Sequence, residues 1–330
     1  MSVNKWLNKN VFVTGCTGIL GSWLVEELLN HGANITCLVR DHIPRSRIYK
    51  EGLMNKINVV YGKLEDYYLL ERSLNEYEIE VVFHLAAQTI VPIANNNPLS
   101  TFEANIRGTW VLLEACRRNK QVKKIVVASS DKAYGEQRRL PYTEEMPLMG
   151  RNPYDVSKSC ADLISQMYYH HYRLPVCVTR CGNLFGGGDL NFSRIVPGTI
   201  RSLFYGDRPV IRSDGKFVRD YFYVKDAAKA YILLAEKMDN DSIIGQAFNF
   251  GNDNPMSVLE ITNEIISVMG RKDIEPIVLN EARGEIREQY LSAKKAGDLL
   301  GWVPEYSLRD GLSETVNWYK EYLQNITPKK

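Results

Sequence analysis

An apolar segment, a turn with three glycines and an amphipathic segment follow one another directly near the start of the chain. Asn10–Thr14 has the composition of a short buried strand, and the turn Gly15-Cys-Thr-Gly18-Ile-Leu-Gly21 follows it. Apolar residues then recur at helical spacing over residues 19–31, and Gly32 is placed to end that helix. A strand, a glycine turn and a helix in this order open a βαβ unit, which predicts a parallel sheet.

The same alternation continues along the first half of the sequence. Further strands are predicted at residues 33–39, 57–61, 80–85, 124–129, 175–179 and Ala247–Phe250. Helical patterns such as residues 100–119 separate these segments. The predicted fold is therefore α/β, a Rossmann-type doubly wound parallel sheet.

The sequence pattern changes after Arg180, where glycine-rich loops and shorter elements replace the regular alternation of strands and helices. Helices are predicted at residues 257–269 and 308–323, with a turn at residues 301–304 between them. We expect residues 1–180, with about 221–250, to form the NAD(P)-binding Rossmann domain. Residues 181–220 and 251–330 are expected to form a smaller mixed α/β substrate lobe.

The glycine turn is a candidate site for a dinucleotide cofactor. Its backbone amides and the positive end of the following helix can face a pyrophosphate, which missing side chains allow to approach. The candidate residues are Gly15, Thr17, Gly18, Ile19, Leu20 and Gly21. At the end of the second strand, Asp41 favours the ribose 2′-hydroxyl of NAD, whereas Arg40 favours the 2′-phosphate of NADP. Both cofactors stay open at this point.

Tyr154 and Lys158 form a candidate catalytic pair. Asn152 is a good helix N-cap and Pro153 suits the first turn, so the pair lies four residues apart on one face of a helix. An ammonium held there can lower the pKa of the phenol. A phenolate obtained in this way is a general base.

Charge and cysteine content exclude several classes of function. Lys and Arg number 41 against 39 Asp and Glu, so the net charge of +2 predicts no nucleic-acid partner. The six cysteines form no CxxC pair, which indicates reduced thiols and no metal site. No apolar run is long enough for a signal peptide or a membrane span. We expect a cytoplasmic protein without a membrane partner.

Further motifs extend this pattern along almost the whole chain. They are His84-Leu-Ala-Ala-Gln88, Asn105-Ile-Arg-Gly-Thr109, Arg180-Cys-Gly-Asn183, Arg219-Asp-Tyr221 and Arg283-Gly-Glu285. With the glycine turn and the Tyr154/Lys158 pair, they make the sequence resemble the extended short-chain dehydrogenase/reductase family, which modifies nucleotide sugars. The resemblance runs from about residue 11 to residue 302.

The resemblance implies a tightly bound, recycled NAD or NADP and a nucleotide-sugar substrate. Cofactor contacts are then expected from Leu85, Ala86 and Ala87, and from Arg40, Tyr154 and Lys158, with Asn105 helping to hold Lys158 through a hydrogen-bond network. Substrate contacts are expected from Gln88, Ser130, Asn183, Arg194, Arg219 and Arg283. One departure from the family pattern is Gly62-Lys63-Leu64, where relatives place an acid near adenine. That adenine contact is not carried over.

The three residues after Ser129 distinguish reactions within the family. Ser130, Asp131 and Lys132 resemble the CDP-glucose 4,6-dehydratases and also the inverting UDP-N-acetylglucosamine 4,6-dehydratases. The resemblance implies that Tyr154, with Ser130 and Lys158, takes the O4 proton during oxidation at C4. Asp131 as acid and Lys132 as base then remove water across C5 and C6, and hydride returns to C6. If Lys132 stays charged, it stabilises the enolate instead and another group takes the C5 proton.

Two other functions share most of these residues. A sugar 4-epimerase uses the same Tyr154 but returns hydride to C4. A cofactor-sensing or scaffold protein keeps the fold without the chemistry. The helices predicted over residues 100–119 and Pro153–Tyr172 also resemble those through which relatives pair, so a homodimer is expected.

Overall fold

The computed structural model describes residues 4–282 and 284–326. Its centre is a seven-stranded sheet in which all neighbouring strands run parallel. The strands are β1 (Asn10–Thr14), β2 (Asn34–Val39), β3 (Asn58–Tyr61), β4 (Val81–His84), β5 (Lys124–Ala128), β6 (Val176–Cys181) and β10 (Ala247–Phe250). Their order across the sheet is β3, β2, β1, β4, β5, β6 and β10. The predicted doubly wound parallel sheet is confirmed.

Both faces of this sheet are covered by helices. The helices are α1 (Ile19–Asn30), α2 (Arg47–Lys50), α3 (Tyr67–Glu76), α4 (Val91–Asn96), α5 (Pro98–Phe102), α6 (Gly108–Arg118), α7 (Pro153–Tyr172), α8 (Ile195–Tyr205), α9 (Val224–Lys237), α10 (Val258–Val268), α11 (Lys294–Leu300) and α12 (Leu308–Ile326). Alternate residues of β1 point to opposite faces: Val11 packs in the core with α1 and α9, and Phe12 packs in the core with α3 and α6. The inner strands β1 and β4 are therefore buried on both sides, whereas the edge strand β3 is partly exposed.

A second, smaller sheet lies beyond the central one. Its middle strand is β9 (Val218–Tyr223), which pairs with β7 (Asn183–Phe185), β11 (Pro255–Ser257) and β13 (Glu288–Gln289). A separate two-stranded sheet joins β8 (Val210–Ile211) to β12 (Ile277–Val278). The predicted domain boundary at about residue 221 falls inside β9, and the division into a cofactor domain and a substrate lobe stays a prediction.

The helix predicted over residues 100–119 is interrupted. A π-helical turn at Glu103–Arg107 separates α5 from α6. The wider turn of a π-helix is common at functional sites, and it carries Asn105, whose carbonyl accepts a hydrogen bond from Thr109 Oγ1 at 2.6 Å. Helical periodicity alone does not reveal one inserted residue, so the sequence predicted a continuous helix here.

In the part of the chain that the structure describes, every helix is too short or too polar to cross a bilayer.

Candidate active site

The glycine turn between β1 and α1 has the geometry of a diphosphate cradle. Gly15 has a φ of +81°, and a Cβ there would lie 2.7 Å from the amide nitrogen of Ala86. A Cβ on Gly21 would lie 2.2 Å from the carbonyl oxygen of Gly15. Gly18 is the N-cap of α1 and supplies no side-chain cap, so the first amides of the helix stay available to an anion. These residues fit the diphosphate of a dinucleotide.

A buried hydrogen-bond network holds the end of β4 beside the glycine turn. His84 Nδ1 lies 2.8 Å from Thr14 Oγ1, and Nε2 lies 2.9 Å from Thr109 Oγ1. Burial, with a smaller contribution from the charge of Lys158, lowers the pKa of His84 to about 3, so the imidazole is neutral. Ala86 donates its backbone N–H to Thr14 Oγ1 at 3.2 Å. The network fixes the segment of Leu85, Ala86 and Ala87 along the glycine turn.

Arg40 and Asp41 bind each other at the end of β2. The Nε of Arg40 lies 2.6 Å from Oδ2 of Asp41, and both side chains are exposed. Since each residue neutralises the other, neither charge by itself selects NAD or NADP.

Tyr154 and Lys158 lie in the first turns of α7, as predicted. Burial raises the pKa of Tyr154 to about 12, while the charge of Arg194 and a hydrogen bond with Ser130 act in the opposite direction. The expectation that this pKa is lowered is therefore wrong for this structure, because desolvation outweighs the neighbouring charges. The Lys158 ammonium donates to the carbonyl of Ala128 at 2.8 Å, and burial lowers the pKa of Lys158 to about 8.

Asp131 and Lys132 begin a 3₁₀-helical turn directly after β5, close to the start of α7. Ser130 caps this turn: its Oγ accepts from Lys132 N at 3.2 Å and donates to Asp131 Oδ1 at 3.0 Å. Burial raises the pKa of Asp131 and lowers that of Lys132, although the two groups partly offset these shifts in each other. Both shifts favour the neutral forms, a carboxylic acid and an amine. Hydrogen bonds thus connect Tyr154, Ser130 and Asp131 in one chain.

Lys132 has a second partner from the smaller sheet. Its Nζ donates to Oε1 of Gln289 at 2.6 Å. Gln289 is fully buried, and its Nε2 has no hydrogen-bond partner among the described residues. The other carboxylate oxygen of Asp131, Oδ2, is also buried and without a partner there. Unsatisfied buried polar atoms are costly, and their clustering here marks a surface built for a polar ligand.

Asn105 joins the π-turn to the site through neighbours of Lys158. Its Oδ1 accepts from Gln88 N at 2.7 Å, and its Nδ2 donates to Gln88 O at 3.1 Å and to Ser157 Oγ at 2.9 Å. Asn105 therefore positions the backbone of Gln88 and the first turns of α7. Its expected hold on Lys158 is indirect, since the lysine itself bonds to the end of β5.

Of the predicted substrate residues, Asn183 lies on β7 and Arg219 on β9 of the smaller sheet, and Arg194 directly precedes α8. Arg219 is buried and donates to the carbonyl oxygens of Ile286 and Arg287, at 2.7 and 3.1 Å. Arg194 pairs with Asp189 at 3.0 Å. Asn183 Nδ2 is buried without a partner in the described residues. Arg283 lies outside the described residues.

Comparison with known proteins identifies the family. The family model described as GDP-mannose 4,6 dehydratase matches residues 12–315. The chain belongs to this family. The resemblance seen in the sequence, to nucleotide-sugar enzymes of the extended short-chain dehydrogenase/reductase type, is thereby confirmed.

Known proteins with different reactions resemble the chain about equally. It is 29% identical to the CDP-glucose 4,6-dehydratase of Salmonella typhimurium, over 97% of this chain and 93% of the relative. Among solved structures, dTDP-glucose 4,6-dehydratase of Bacillus anthracis in complex with NAD matches with a TM-score of 0.83 at 29% identity, covering 95% of this chain and 97% of that one. UDP-glucose 4-epimerase of Thermotoga maritima with UDP-glucose matches with a TM-score of 0.86 at 30% identity, covering 95% and 99%. Overall similarity therefore does not separate dehydration from epimerisation.

Two residues of the site were not singled out from the sequence. Gln289 reaches Lys132 from β13, only a few residues after the Arg283-Gly-Glu285 motif. Asp155 directly follows Tyr154; burial raises its pKa, and the charge of Lys132 acts against that shift. The position of Asp155 between Tyr154 and Lys158 could have indicated a place in the site. Nothing in the sequence links Gln289 to Lys132, which lies 157 residues away.

Among residues 4–282 and 284–326, no cluster of three His, Cys, Asp or Glu side chains is arranged to hold a metal ion.

Proposed function

We propose that this protein is an NAD-dependent nucleotide-hexose 4,6-dehydratase that acts on a CDP-glucose-type or UDP-N-acetylglucosamine-type substrate. The observation that carries the proposal is the pair of Asp131 and Lys132, which follows β5 and is linked to Tyr154 through Ser130. Oxidation at C4 does not need a carboxylic acid beside an amine, but elimination of water does. The glycine turn and the NAD named with a dehydratase relative support the cofactor.

The first step is oxidation of the sugar alcohol at C4. Tyr154 removes the proton from O4, and Ser130 hydrogen-bonds to the phenol oxygen. Arg194 and Ser130 stabilise the phenolate against the cost of burial. Lys158, anchored on Ala128 O, places a positive charge on the same helical face four residues along. The glycine turn and the segment of Leu85 to Ala87 would hold NAD, whose nicotinamide would supply the hydride chemistry at C4 and C6.

The second step is elimination of water from the 4-keto sugar. Lys132 as a neutral amine takes the proton from C5, Asp131 as a carboxylic acid protonates the leaving C6 hydroxyl, and a C5–C6 double bond forms as water departs. Burial shifts both pKa values toward these protonation states. After hydride reaches C6, the Lys132 ammonium returns the proton to C5. The proton that Tyr154 took from O4 passes through Ser130 to the Asp131 carboxylate, which restores both groups. The product is a nucleotide-linked 4-keto-6-deoxy sugar and one water.

A sugar 4-epimerase is the second candidate, favoured by the similarity to the Thermotoga enzyme. Mass spectrometry separates the two reactions. Purified protein with NAD is incubated in turn with CDP-glucose, UDP-N-acetylglucosamine, UDP-glucose and dTDP-glucose. We expect loss of one water from at least one of them. A product of unchanged mass that differs at C4 contradicts the dehydratase and supports the epimerase.

We further propose a homodimer that forms through α5, α6 and α7. Large apolar side chains on these helices are exposed, among them Leu99 at 71%, Leu163 at 55%, Met167 at 43% and Trp110 at 42%. An apolar surface of this kind marks a protein interface.

Residues 1–180 with 221–250 are proposed to hold the cofactor, and residues 181–220 with 251–330 to hold the nucleotide sugar. A cytoplasmic location stays a prediction, which the six free cysteines support.

A further inference from the structure

We propose that Gln289 is a positioning residue for the elimination step, because it fixes the Lys132 amine from the smaller sheet. The inference rests on the proposed function, in which Lys132 takes the C5 proton. The contact itself is independent of that proposal: the distance from Lys132 Nζ to Gln289 Oε1 is 2.6 Å.

The surroundings of Gln289 make it a rigid anchor. Its side chain is fully buried, and it lies on β13, where its partner in the register with β9 is Arg219. Arg219 in turn binds the carbonyl oxygens of Ile286 and Arg287, the residues that lead into β13. The position of the Lys132 amine is thereby set by the same strand pair that carries Arg219, a predicted substrate contact.

An amide is chemically suited to this task. The oxygen of Gln289 accepts one N–H of Lys132 without adding charge, which leaves the lone pair of a neutral amine directed elsewhere. A carboxylate in the same place would form an ion pair and hold the lysine as an ammonium. Gln289 therefore orients the amine while allowing it to be a base.

Several charges already act on Lys132, and an added charge would change their balance. Asp131 on the same turn, Asp155 on α7 and Glu285 before β13 raise its pKa, while burial and Arg219 lower it. Burial is the largest contribution and lowers the pKa of Lys132, and one more anion beside the amine would act against that shift. Gln289, in contrast to these charged groups, is neutral, and its Oε1 contacts Lys132 Nζ directly.

The test uses two substitutions with opposite consequences for the amine. In Gln289→Glu, an adjacent anion stabilises the ammonium, so the acidic limb of the pH profile for water loss moves to higher pH by about one unit or more. In Gln289→Met, the acceptor is lost, so the same limb moves to lower pH. In both variants we expect the maximal rate of water loss to fall about tenfold with KM changed less than about twofold.

Glu288→Gln is the matched control. Glu288 is the exposed neighbour of Gln289 on β13, so the change alters charge on the same strand without reaching Lys132. We expect its pH profile to overlay that of the wild type. The proposal is contradicted if the acidic limb of the pH profile stays in place, or moves in the same direction, in both Gln289 variants. A rise in KM with unchanged kcat also contradicts it and makes Gln289 a substrate contact instead.

A second measurement separates this inference from the proposed function. The rate of acetylation of Lys132 by acetic anhydride, followed as a function of pH by peptide mass spectrometry, reports the protonation of the amine without turnover. We expect the pH at which acetylation of Lys132 reaches half its maximal rate to rise in Gln289→Glu and to fall in Gln289→Met. If the wild type dehydrates no nucleotide hexose while these displacements appear, the dehydratase proposal fails and the hold of Gln289 on Lys132 stands. If the displacements are absent in a dehydrating enzyme, the inference on Gln289 fails.

Discussion

Burial dominates the chemistry of individual residues in this site. It raises the pKa of Asp131 and Tyr154 and lowers that of Lys132 and Lys158, and in each case it is the largest cause. The same physical effect therefore favours the neutral forms of Asp131 and Lys132, as the proposed elimination requires, and it also makes the phenol of Tyr154 harder to ionise. The neighbouring groups Arg194 and Ser130 oppose that cost for Tyr154.

Removing either member of the Asp131/Lys132 pair should separate oxidation from elimination. Asp131→Asn cannot donate the proton to the C6 hydroxyl, and Lys132→Met cannot accept the C5 proton. We expect each change to slow water loss by about 10² to 10⁴-fold, the usual value of acid–base catalysis, while C4 oxidation persists. The reduced nicotinamide absorbance in a single turnover reports oxidation, and product mass reports elimination. Unchanged dehydration in either variant removes the pair from the mechanism.

Asp220 gives the stability of the protein a pH dependence of its own. Burial raises its pKa to about 7, while backbone N–H groups at Asn252 and Asp253 oppose the shift. Above the unfolded pKa and up to about 7, the folded state binds more protons, so this contribution is full at low pH and is lost as pH rises through 7. Between about pH 5 and about pH 8 the loss amounts to about 3 kcal/mol.

Asp220→Asn should therefore flatten the pH dependence of unfolding over this interval. The amide oxygen still accepts from Asn252 N, and the buried charge is gone. Urea unfolding of both proteins at the two pH values measures the difference. A variant that loses as much stability as the wild type on going to the higher pH contradicts the assignment to Asp220.

At the scale of elements, the ends of β1, β4 and β5 position the site. The glycine turn follows β1, the segment of Leu85 to Ala87 follows β4, and the Ser130 cap follows β5, so all of them meet at the carboxyl edge of the parallel sheet. This edge is where open α/β sheets bind ligands. The helix α7 then brings Tyr154 and Lys158 against the same edge.

The glycine turn tolerates no side chain on its inner face. In Gly21→Ala, the new Cβ meets the Gly15 carbonyl at 2.2 Å, so the turn must shift and its amides leave the diphosphate. We expect NAD affinity, measured by calorimetry, to fall at least about tenfold, which corresponds to about 1.4 kcal/mol. The control is Gly297→Ala in α11, where the nearest atom lies 3.7 Å from the new Cβ. If Gly21→Ala binds NAD as tightly as the wild type does, the glycine turn does not bind the diphosphate.

At the scale of the whole molecule, the exposed apolar face of α5, α6 and α7 remains without a partner in a single chain. Because α7 also carries Tyr154 and Lys158, the proposed partner on this face would stiffen the helix that holds the proposed catalytic pair. The two cores on the faces of the central sheet are otherwise closed by their own helices.

Leu163→Asp tests the proposed dimer. A carboxylate in an apolar interface loses its hydration without gaining a partner, so we expect sedimentation velocity to show a monomer where the wild type shows a dimer. Val303→Asp is the control, since Val303 is 72% exposed and lies away from these helices, on the connection between α11 and α12. A dimer that survives Leu163→Asp, or a wild type that is monomeric at all concentrations, contradicts this interface.

The sequence by itself determined the parallel sheet, the glycine turn and the Tyr154/Lys158 helix. These features depend on local periodicity and on residues close in sequence, which is why β1 and α7 were predicted to the residue. The tertiary structure decided what depends on burial and on distant contacts: the raised pKa of Tyr154, the π-turn that carries Asn105, and the hold of Gln289 on Lys132. Desolvation and contacts across 157 residues arise only when the two sheets are packed together, because neither is a property of any short segment.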